Sequence, residues 1–185
     1  MRLHEGMDDE PARITAAAGG DPAAQAWLVD RWTAPVFRFS RRMLGNDEDA
    51  RDAAQDTLVK VLRNLDKFDT TRRFSSWVFQ IARNTCIDEY RRRKRRSWEE
   101  PPDVADTAPT PLAEASTNQD AERVVAGMDR LPPMYREVLV LYHFEHLKYV
   151  EIAEVLDLPL GTVMNRIFRA RKKLREIYVS MGGTR

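Results

Sequence analysis

The amino-acid sequence predicts an all-α protein with two small helical domains joined by a flexible acidic linker. Apolar residues recur three and four positions apart in several separate stretches, and no strand-like alternation extends beyond a few residues. The linker prediction rests on residues 97–118, which contain four prolines, many small polar residues and only acidic charge. Such a composition does not bury enough apolar area to offset the entropy lost on ordering.

The charge of the chain is separated into blocks, although the net charge of its 185 residues is only +1. Residues 72–96 contain nine basic and two acidic residues, residues 99–122 contain seven acids and no Lys or Arg, and residues 166–175 contain six bases and no acid. The position and sign of each charged block indicate more about possible partners than the net charge does. The two basic blocks make nucleic acid a candidate partner.

The sequence indicates neither a disulfide nor a metal site. Cys86 is the only cysteine, so no intrachain disulfide can form, which fits a reducing cytoplasm. His143 and His146 lie three residues apart, but Cys86 belongs to the other predicted domain, and we expect it to be a small core residue. No cofactor is expected. The pattern shows no membrane span and no secretory leader, so we expect no direct membrane insertion.

The first domain is predicted to cover residues 25–96. Residues 1–24 carry no sustained apolar pattern and are expected to form an N-terminal segment that is partly mobile. Helices are expected at Trp27–Leu44, with an adjustment near Pro35, at Glu48–Leu65 and at Ser75–Arg93. The inner face of the second helix is predicted from i, i+3, i+4 spacing to consist of Ala54, Leu58, Val61, Leu62 and Leu65.

The second domain, residues 119–185, is predicted to end in a helix-turn-helix. One helix begins near Gln119, and a second runs from Pro133 to Phe144, because proline suits the first turn of a helix. A short helix at Tyr149–Leu156, the turn DLPLGT and a longer basic helix then form the helix-turn-helix signature. Thr162 is expected to cap this last helix through its hydroxyl.

The last helix, GTVMNRIFRARKKLREIY at residues 161–178, combines an apolar stripe with a nearly all-basic remainder. The stripe that packs it onto its domain is predicted to be Val163, Ile167, Ala170 and Leu174. The opposite face presents Asn165, Phe168, Arg169 and Lys172, flanked by Arg166, Arg171, Lys173 and Arg175. An exposed helix fits a DNA major groove, where Arg and Asn can read base edges and the other bases can neutralise phosphates. A merely solvated face is the alternative, and six bases without an acid disfavour it.

A second basic cluster, RRRKRR at residues 91–96, follows a helix that carries Trp77, Asn84 and Tyr90. Basic charge beside aromatic rings is typical of surfaces that bind unpaired DNA strands. Phe74 and Trp77 lie at core-like spacing, however, so the pattern by itself favours core packing for Trp77.

Three long motifs in order give the chain a close resemblance to bacterial sigma factors of the extracytoplasmic function (ECF) group. They are DARDAAQDTLVKVLRNLDKFD, FSSWVFQIARNTCIDEYRRRKRR and LPPMYREVLVLYHFEHLKYVEIAEVLDLPLGTVMNRIFRARKKL. The resemblance covers about residues 25–96 and 119–178. It implies a region 2 helical bundle followed by a region 4 helix-turn-helix, and it implies a protein that binds core RNA polymerase, directs it to promoters and helps to melt the −10 region.

The resemblance also implies roles for individual residues. On the exposed face of the second helix, the residues expected to bind the clamp of the polymerase are Asp52, Gln55, Asp56, Lys60 and Arg63. The residues expected at the −10 region are Arg72, Arg73, Ser76, Trp77, Asn84, Arg91, Arg92 and Arg93. Those expected at the −35 element are Thr162, Met164, Asn165, Arg166, Phe168, Arg169, Arg171 and Lys172. Many members have a basic residue followed by serine where this chain has Met164-Asn165.

The implied partners are core RNA polymerase, through its β′ clamp and β flap, promoter DNA and an anti-sigma factor. The implied location is the bacterial cytoplasm, where an anti-sigma factor can hold such a protein at the membrane. Three other classes remain as alternatives. An enzyme is disfavoured because neither a nucleophile–base pair nor a phosphate-binding glycine loop is present. A sigma-mimicking adaptor would be free to lose the basic surfaces, and a stand-alone helix-turn-helix regulator leaves the first domain unexplained.

Overall fold

The computed structural model describes residues 10–99 and 119–183. Within these residues the chain is entirely helical apart from turns and loops, which confirms the all-α prediction. The first domain consists of α1 (Glu10–Ala18), α2 (Pro22–Leu44), α3 (Asp47–Arg63), a single 3-10 turn (Leu65–Lys67) and α4 (Phe74–Glu99). The second consists of α5 (Gln119–Asp129), α6 (Pro133–His143), α7 (Tyr149–Leu156) and α8 (Leu160–Ser180).

Local chemistry explains where α2 and α3 begin and end. Asp21 accepts a hydrogen bond from the backbone N–H of Ala24 at 2.8 Å, and Pro22 occupies the first turn. Gly45 ends α2 in the left-handed conformation, with φ of 85°, and its N–H donates to the Arg41 carbonyl. Asn46 then caps α3 by accepting from the N–H of Asp49 at 2.8 Å.

Helix α1 was missed in the sequence. Its apolar content is mostly alanine, and only Ile14 and Ala17 are buried, which is too little for a periodic signal. It is held against α2 by these contacts and by the Gln25 amide, which donates to the Ala17 carbonyl at 3.1 Å. Helix α2 begins at Pro22, five residues before the predicted start at Trp27, and it continues through Pro35 without a break.

The end of α4 also differs from the prediction. The helix continues to Glu99, so residues 97–99 of the predicted linker are helical, and residues 100–118 lie outside the described residues. The run of arginines has good helix propensity and extends the helix beyond its packed part.

The core of the first domain is aromatic. The ring of Trp32 meets those of Phe74 and Phe79 edge to face, with centroids 5.7 and 5.8 Å apart. Phe39 is fully buried and contacts Phe79 from the other side. Cys86 of α4 is also buried, which confirms the prediction of a small core residue. Burial raises the pKa of its thiol to about 12.

The predicted helix-turn-helix is confirmed as α7, a turn and α8. Asp157 ends α7 in the left-handed conformation, with φ of 52°. The fully buried Val163, Ile167 and Ala170 pack α8 onto α6 and α7. The capping role predicted for Thr162 is wrong, because α8 begins directly after Pro159 and Thr162 lies one turn inside it without a capping bond.

We predict that Gly45→Ala lowers the free energy of unfolding by about 1–2 kcal/mol, because a Cβ is strained at positive φ. The matched control is Gly161→Ala. Gly161 lies in the first turn of α8, where a Cβ meets no atom within 4 Å, so alanine should not destabilise. Urea unfolding followed by circular dichroism measures both. Equal midpoints for the two variants would contradict the assigned cap.

Candidate functional site

The exposed face of α8 is the most basic surface of the second domain. Asn165, Phe168, Arg169 and Lys172 are all exposed, as the sequence predicts. Arg169, Lys172, Lys173 and Arg175 have no ion-pair partner among the described residues. Their charges are therefore available to an anionic partner.

Two other predicted residues of α8 are engaged by their own domain. Arg166 turns to the side and contacts Glu137 Oε1 at 3.2 Å. Arg171 lies 5.0 Å over the ring of Tyr142 and 3.5 Å from Nε2 of His143. Burial and the charge of Arg171 lower the pKa of His143. Both arginines therefore lie beside the exposed face of α8 and contact residues of their own domain.

A shallow depression of about 400 Å³ lies between the start of α6 and the start of α8. It is lined by Met134, Tyr135, Gly161, Thr162, Asn165, Arg166 and Arg169. Thr162, which was predicted to contact the −35 element, is half-buried in the lining of this depression.

The predicted polymerase face of α3 is exposed along its whole length. Asp52, Gln55, Asp56, Lys60 and Arg63 all reach solvent. Lys60 also donates from Nζ to Thr85 Oγ1 of α4 at 3.0 Å. Lys60 therefore links this face to α4, and the other four side chains are exposed.

An apolar groove of about 500 Å³ borders this face between α2 and α3. It is lined by Val29, Thr33, Phe37, Arg51, Ala54, Gln55, Leu58, Val59 and Leu62. The sequence pattern assigns Leu58 and Leu62 to the core, but both are only half-buried. Periodicity shows which side a residue faces and not whether a neighbour covers it, so the groove was not predicted.

The residues predicted at the −10 region separate into exposed and buried groups. Arg72, Arg73 and Asn84 reach the surface at the start and middle of α4. Ser76 is fully buried and its hydroxyl has no hydrogen-bond partner among the described residues, so the structure places it in the core and not on the surface that the predicted contact with DNA requires. Trp77 is half-buried against Phe68 and Phe74, with ring centroids 5.2 and 5.6 Å away.

The arginines at the end of the described side chains of α4 are exposed and paired. Arg91 contacts Asp88 at 3.8 Å, Arg92 pairs with Glu89, and Arg93 contacts Asp49 of α3 at 3.5 Å. The Arg91–Asp88 pair is exposed on both sides and contributes little to stability, whereas the Glu89 partner of Arg92 is buried.

The two domains meet along α4 and α7 and along α2 and α6. Glu137 of α6 is buried and receives two arginines: Arg83 Nε of α4 at 2.9 Å from its Oε2, and Arg166 of α8 at its Oε1. Sequence reasoning missed Arg83 and Glu137. The available signal was a lone acid within the apolar run that fills α6.

Two further arginines of the first domain reach glutamates of the second. Arg73 contacts Glu151 Oε1 at 2.8 Å, and the other oxygen of Glu151 accepts the N–H of Lys148 at 2.6 Å. Arg42 lies 3.8 Å from Glu145. Burial raises the pKa of Glu145 to about 7, and the Arg42 charge opposes this shift without cancelling it.

A helical protein with an exposed basic helix-turn-helix in one domain, and a polar helix face of mixed charge beside an apolar groove in the other, is a DNA-binding protein built to dock on a second macromolecule. The family comparisons agree with this class. Residues 28–96 match the model of Sigma-70 region 2, and residues 121–174 match Sigma-70, region 4. The chain belongs to the ECF RNA polymerase sigma factors of the sigma-70 family, and it directs RNA polymerase to promoters.

Relatives are similar along nearly the whole chain. The ECF RNA polymerase sigma factor SigW of Bacillus subtilis is 34% identical over 176 residues, which are 89% of this chain and 94% of the relative. The RNA polymerase sigma factor CnrH of Cupriavidus metallidurans is 34% identical over 181 residues, which are 91% of this chain and 95% of CnrH.

Solved structures show the same fold. CnrH in complex with the cytosolic domain of CnrY superimposes with a TM-score of 0.70 at 30% identity, covering 93% of this chain and 97% of that one. The sigma factor RpoE of Bartonella quintana, solved with the anti-sigma factor NepR, has a TM-score of 0.71 at 22% identity, covering 82% and 94%. None of the helices described here is long and apolar enough to cross a membrane.

We predict that the contact between the domains weakens as pH rises through about 7. Glu145 is buried in the contact with a pKa of about 7, and exposure on separation returns it towards its ordinary value of 4.5. The closed arrangement therefore binds the proton more tightly, so closure is strongest below about pH 4.5 and weakest above about pH 7.

Energy transfer between dyes on Asp30→Cys and Glu154→Cys measures this closure, since both positions are exposed and the Cys86 thiol is buried. Transfer should fall between pH 5.5 and 8. The control Glu145→Gln removes the titrating group and should flatten the profile. An unchanged slope in that variant would show that another group is responsible.

Proposed function

We propose a division of labour among three surfaces for this sigma factor. Residues 25–96 bind core polymerase and capture the −10 element, residues 100–118, which follow α4, form the linker, and residues 119–185 read the −35 element. The observation that carries the proposal is that one domain exposes a polar face beside an apolar groove, and the other exposes a helix on which Arg169, Lys172, Lys173 and Arg175 have no ion-pair partner among the described residues.

The docking surface for the polymerase is the exposed face of α3 together with the neighbouring groove. The groove suits the apolar face of a helix as its occupant, because side chains of the neighbouring helices α2 and α3 line it and most of them are apolar. Asp52 and Asp56 add negative charge along one rim and Arg51 adds positive charge within the lining. We infer that the clamp coiled coil of the β′ subunit occupies it, with the β flap binding the second domain.

The −10 surface lies at the start of α4 and in the loop before it. The N–H and hydroxyl of Thr71 both donate to Asp69 Oδ1, at 2.9 and 2.8 Å, and these bonds shape the loop and lower the pKa of Asp69. Arg72 and Arg73 follow directly, and Asn84 lies further along the helix. The half-buried ring of Trp77 can move towards a base more easily than a fully buried one.

Melting by this surface requires binding energy and no chemistry by the chain itself. Extruding a base costs a few kcal/mol, and stacking on an aromatic ring returns about 1–3 kcal/mol. Contacts between the exposed arginines of α4 and phosphates supply the remainder. The protein is therefore proposed to act as an initiation factor and not as an enzyme.

The −35 surface is the exposed face of α8. Asn165 has the amide geometry that reads adenine, and Arg169 can donate two bonds to guanine. Lys172 lies one turn beyond Phe168 and two turns beyond Asn165, and it has no ion-pair partner among the described residues, so it suits a phosphate.

The two domains have to separate on a promoter. Elements at −10 and −35 are about 25 base pairs apart, which is roughly 85 Å of duplex at 3.4 Å per pair. Domains that touch through Arg83 and Glu137 do not span that distance. Arg73 belongs both to the predicted −10 set and to the contact with Glu151, so phosphate can replace the carboxylate as its partner.

An anti-sigma factor is the third proposed partner. CnrH, which resembles this chain over nearly its whole length, was solved in complex with the cytosolic domain of CnrY. Because RNA polymerase works in the bacterial cytoplasm, we place the protein there, with a membrane-held anti-sigma factor as one means of restraint.

Transcription with core polymerase and a library of promoter fragments tests the whole proposal. Selective initiation from a subset of fragments is expected. Binding of promoter DNA without any effect on the polymerase would favour a stand-alone regulator, and failure to engage DNA or polymerase would favour an adaptor that binds only an anti-sigma factor.

We predict that the double variant Asp52→Lys/Asp56→Lys weakens binding to core polymerase at least tenfold, since about 1.4 kcal/mol is a modest share of a charged docking surface. The matched control is Asp30→Lys/Asp88→Lys, which makes the same charge change at exposed positions outside the face. Affinity within twofold of the parent for the first variant, at unchanged helical content, would remove α3 from the interface.

We predict different consequences for two substitutions on α8. Lys172→Ala should weaken binding to all duplexes alike and reduce the salt slope by about one unit, because it loses a phosphate contact. Asn165→Ala should leave the slope nearly unchanged and relax base preference at one position. Equilibrium binding to a promoter library at several salt concentrations separates the two, and identical profiles would argue against this placement of the helix.

A further inference from the structure

The reading face of α8 carries an apolar ridge that packing does not explain. Met164 and Phe168 lie one helical turn apart and are 51% and 70% exposed, and Leu160 continues the line at 42%. Phe168 is the most exposed large apolar side chain among the residues that the structure describes. Val163 and Ile167, on the opposite side of α8, pack the helix onto its domain. The ridge therefore points away from the core that α8 completes.

Basic and polar residues border this ridge on both sides. Asn165 and Arg169 lie along one flank and Arg171 along the other, and Lys172 continues the face by one turn. Nothing acidic interrupts the face between residues 160 and 175. A partner that covers the ridge must therefore be anionic and must still offer small apolar groups between its polar ones.

The major groove of DNA has that combination. Its edges present hydrogen-bonding groups and a single kind of apolar group, the C5 methyl of thymine. Side chains four residues apart on a helix are separated by about 6 Å along its axis, which is close to two base-pair steps of 3.4 Å. Two neighbouring ridge residues can therefore meet methyl groups about two steps apart.

We propose that Met164 and Phe168 select the −35 element by contacting the C5 methyl groups of thymines. The inference rests on the proposed function, because it needs α8 to lie in the major groove. Neither side chain can donate or accept a hydrogen bond with a base edge at useful strength, so the methyl group is the feature that they can distinguish. The polar neighbours Asn165 and Arg169 read the remaining edges.

The test replaces thymine by deoxyuracil, one position at a time, in the −35 element recovered from the promoter library. This exchange removes the methyl group and leaves every hydrogen-bonding group in place. The parent protein is expected to lose about three- to fourfold in affinity at one or two thymines, which corresponds to ~0.8 kcal/mol for a buried methyl-sized group. Other thymines in the duplex serve as internal controls.

Variants then assign each methyl to a side chain. Phe168→Ala should lose the deoxyuracil effect at one position, and Met164→Ala should lose it at the other. Lys172→Ala is the control, since it should weaken both duplexes equally and keep their ratio. All three positions are exposed, and circular dichroism verifies that the helices remain. If one variant does not fold, the parent duplex series and the other variant still decide the question.

Three outcomes would overturn the inference while leaving the proposed function intact. They are equal affinity for thymine and deoxyuracil duplexes at every position, an unchanged deoxyuracil effect in both alanine variants, or a selected element with no thymine in the contacted segment. Absence of any preference among promoter fragments would instead overturn the proposed function itself.

Discussion

The buried carboxylate of Glu137 is the constraint on which the arrangement of this protein depends. A carboxylate removed from water is costly unless its oxygens are paired. Here one oxygen receives Arg166 of the reading helix and the other receives Arg83 of the first domain. The same residue therefore positions α8 on its own domain and ties that domain to its neighbour. Removing either arginine would leave part of the charge unpaired, so the two contacts depend on each other.

The contact between the domains contains three ion pairs of the same kind. Arginines of the first domain reach glutamates of the second that are nearly buried, at Glu137, Glu145 and Glu151. An arginine bound to a carboxylate presents the geometry that binds phosphate, because the planar fork fits both anions. If the chain binds a promoter as proposed, these cations exchange a carboxylate partner for a phosphate. Within the first domain, the rings of Phe74 and Phe79 pack α4 against Trp32 of α2.

Much of the fold could be predicted because a helix is indicated by the spacing of its apolar residues and by the residues at which it begins and ends. The stripe at Val163, Ile167 and Ala170 was visible and is buried as expected. The short helix at Tyr149–Leu156 was predicted at its exact bounds. Helix α1 was not predicted, because alanine gives a weak periodic signal. The cap was predicted three residues too late, at Thr162, whereas α8 begins at Leu160 directly after Pro159.

The sequence by itself determined the helical class, the two domains and the exposed basic face of α8, because these follow from side-chain period and from charge that is local in the chain. Only the tertiary structure decided which arginines remain free. Arg169 and Arg166 are three residues apart in one basic run, yet one faces solvent and the other a buried glutamate 29 positions away. The groove beside α3 and the burial of Ser76 were settled in the same way. Whether a side chain is covered depends on a neighbour that is distant in sequence, and local spacing carries no information about that neighbour.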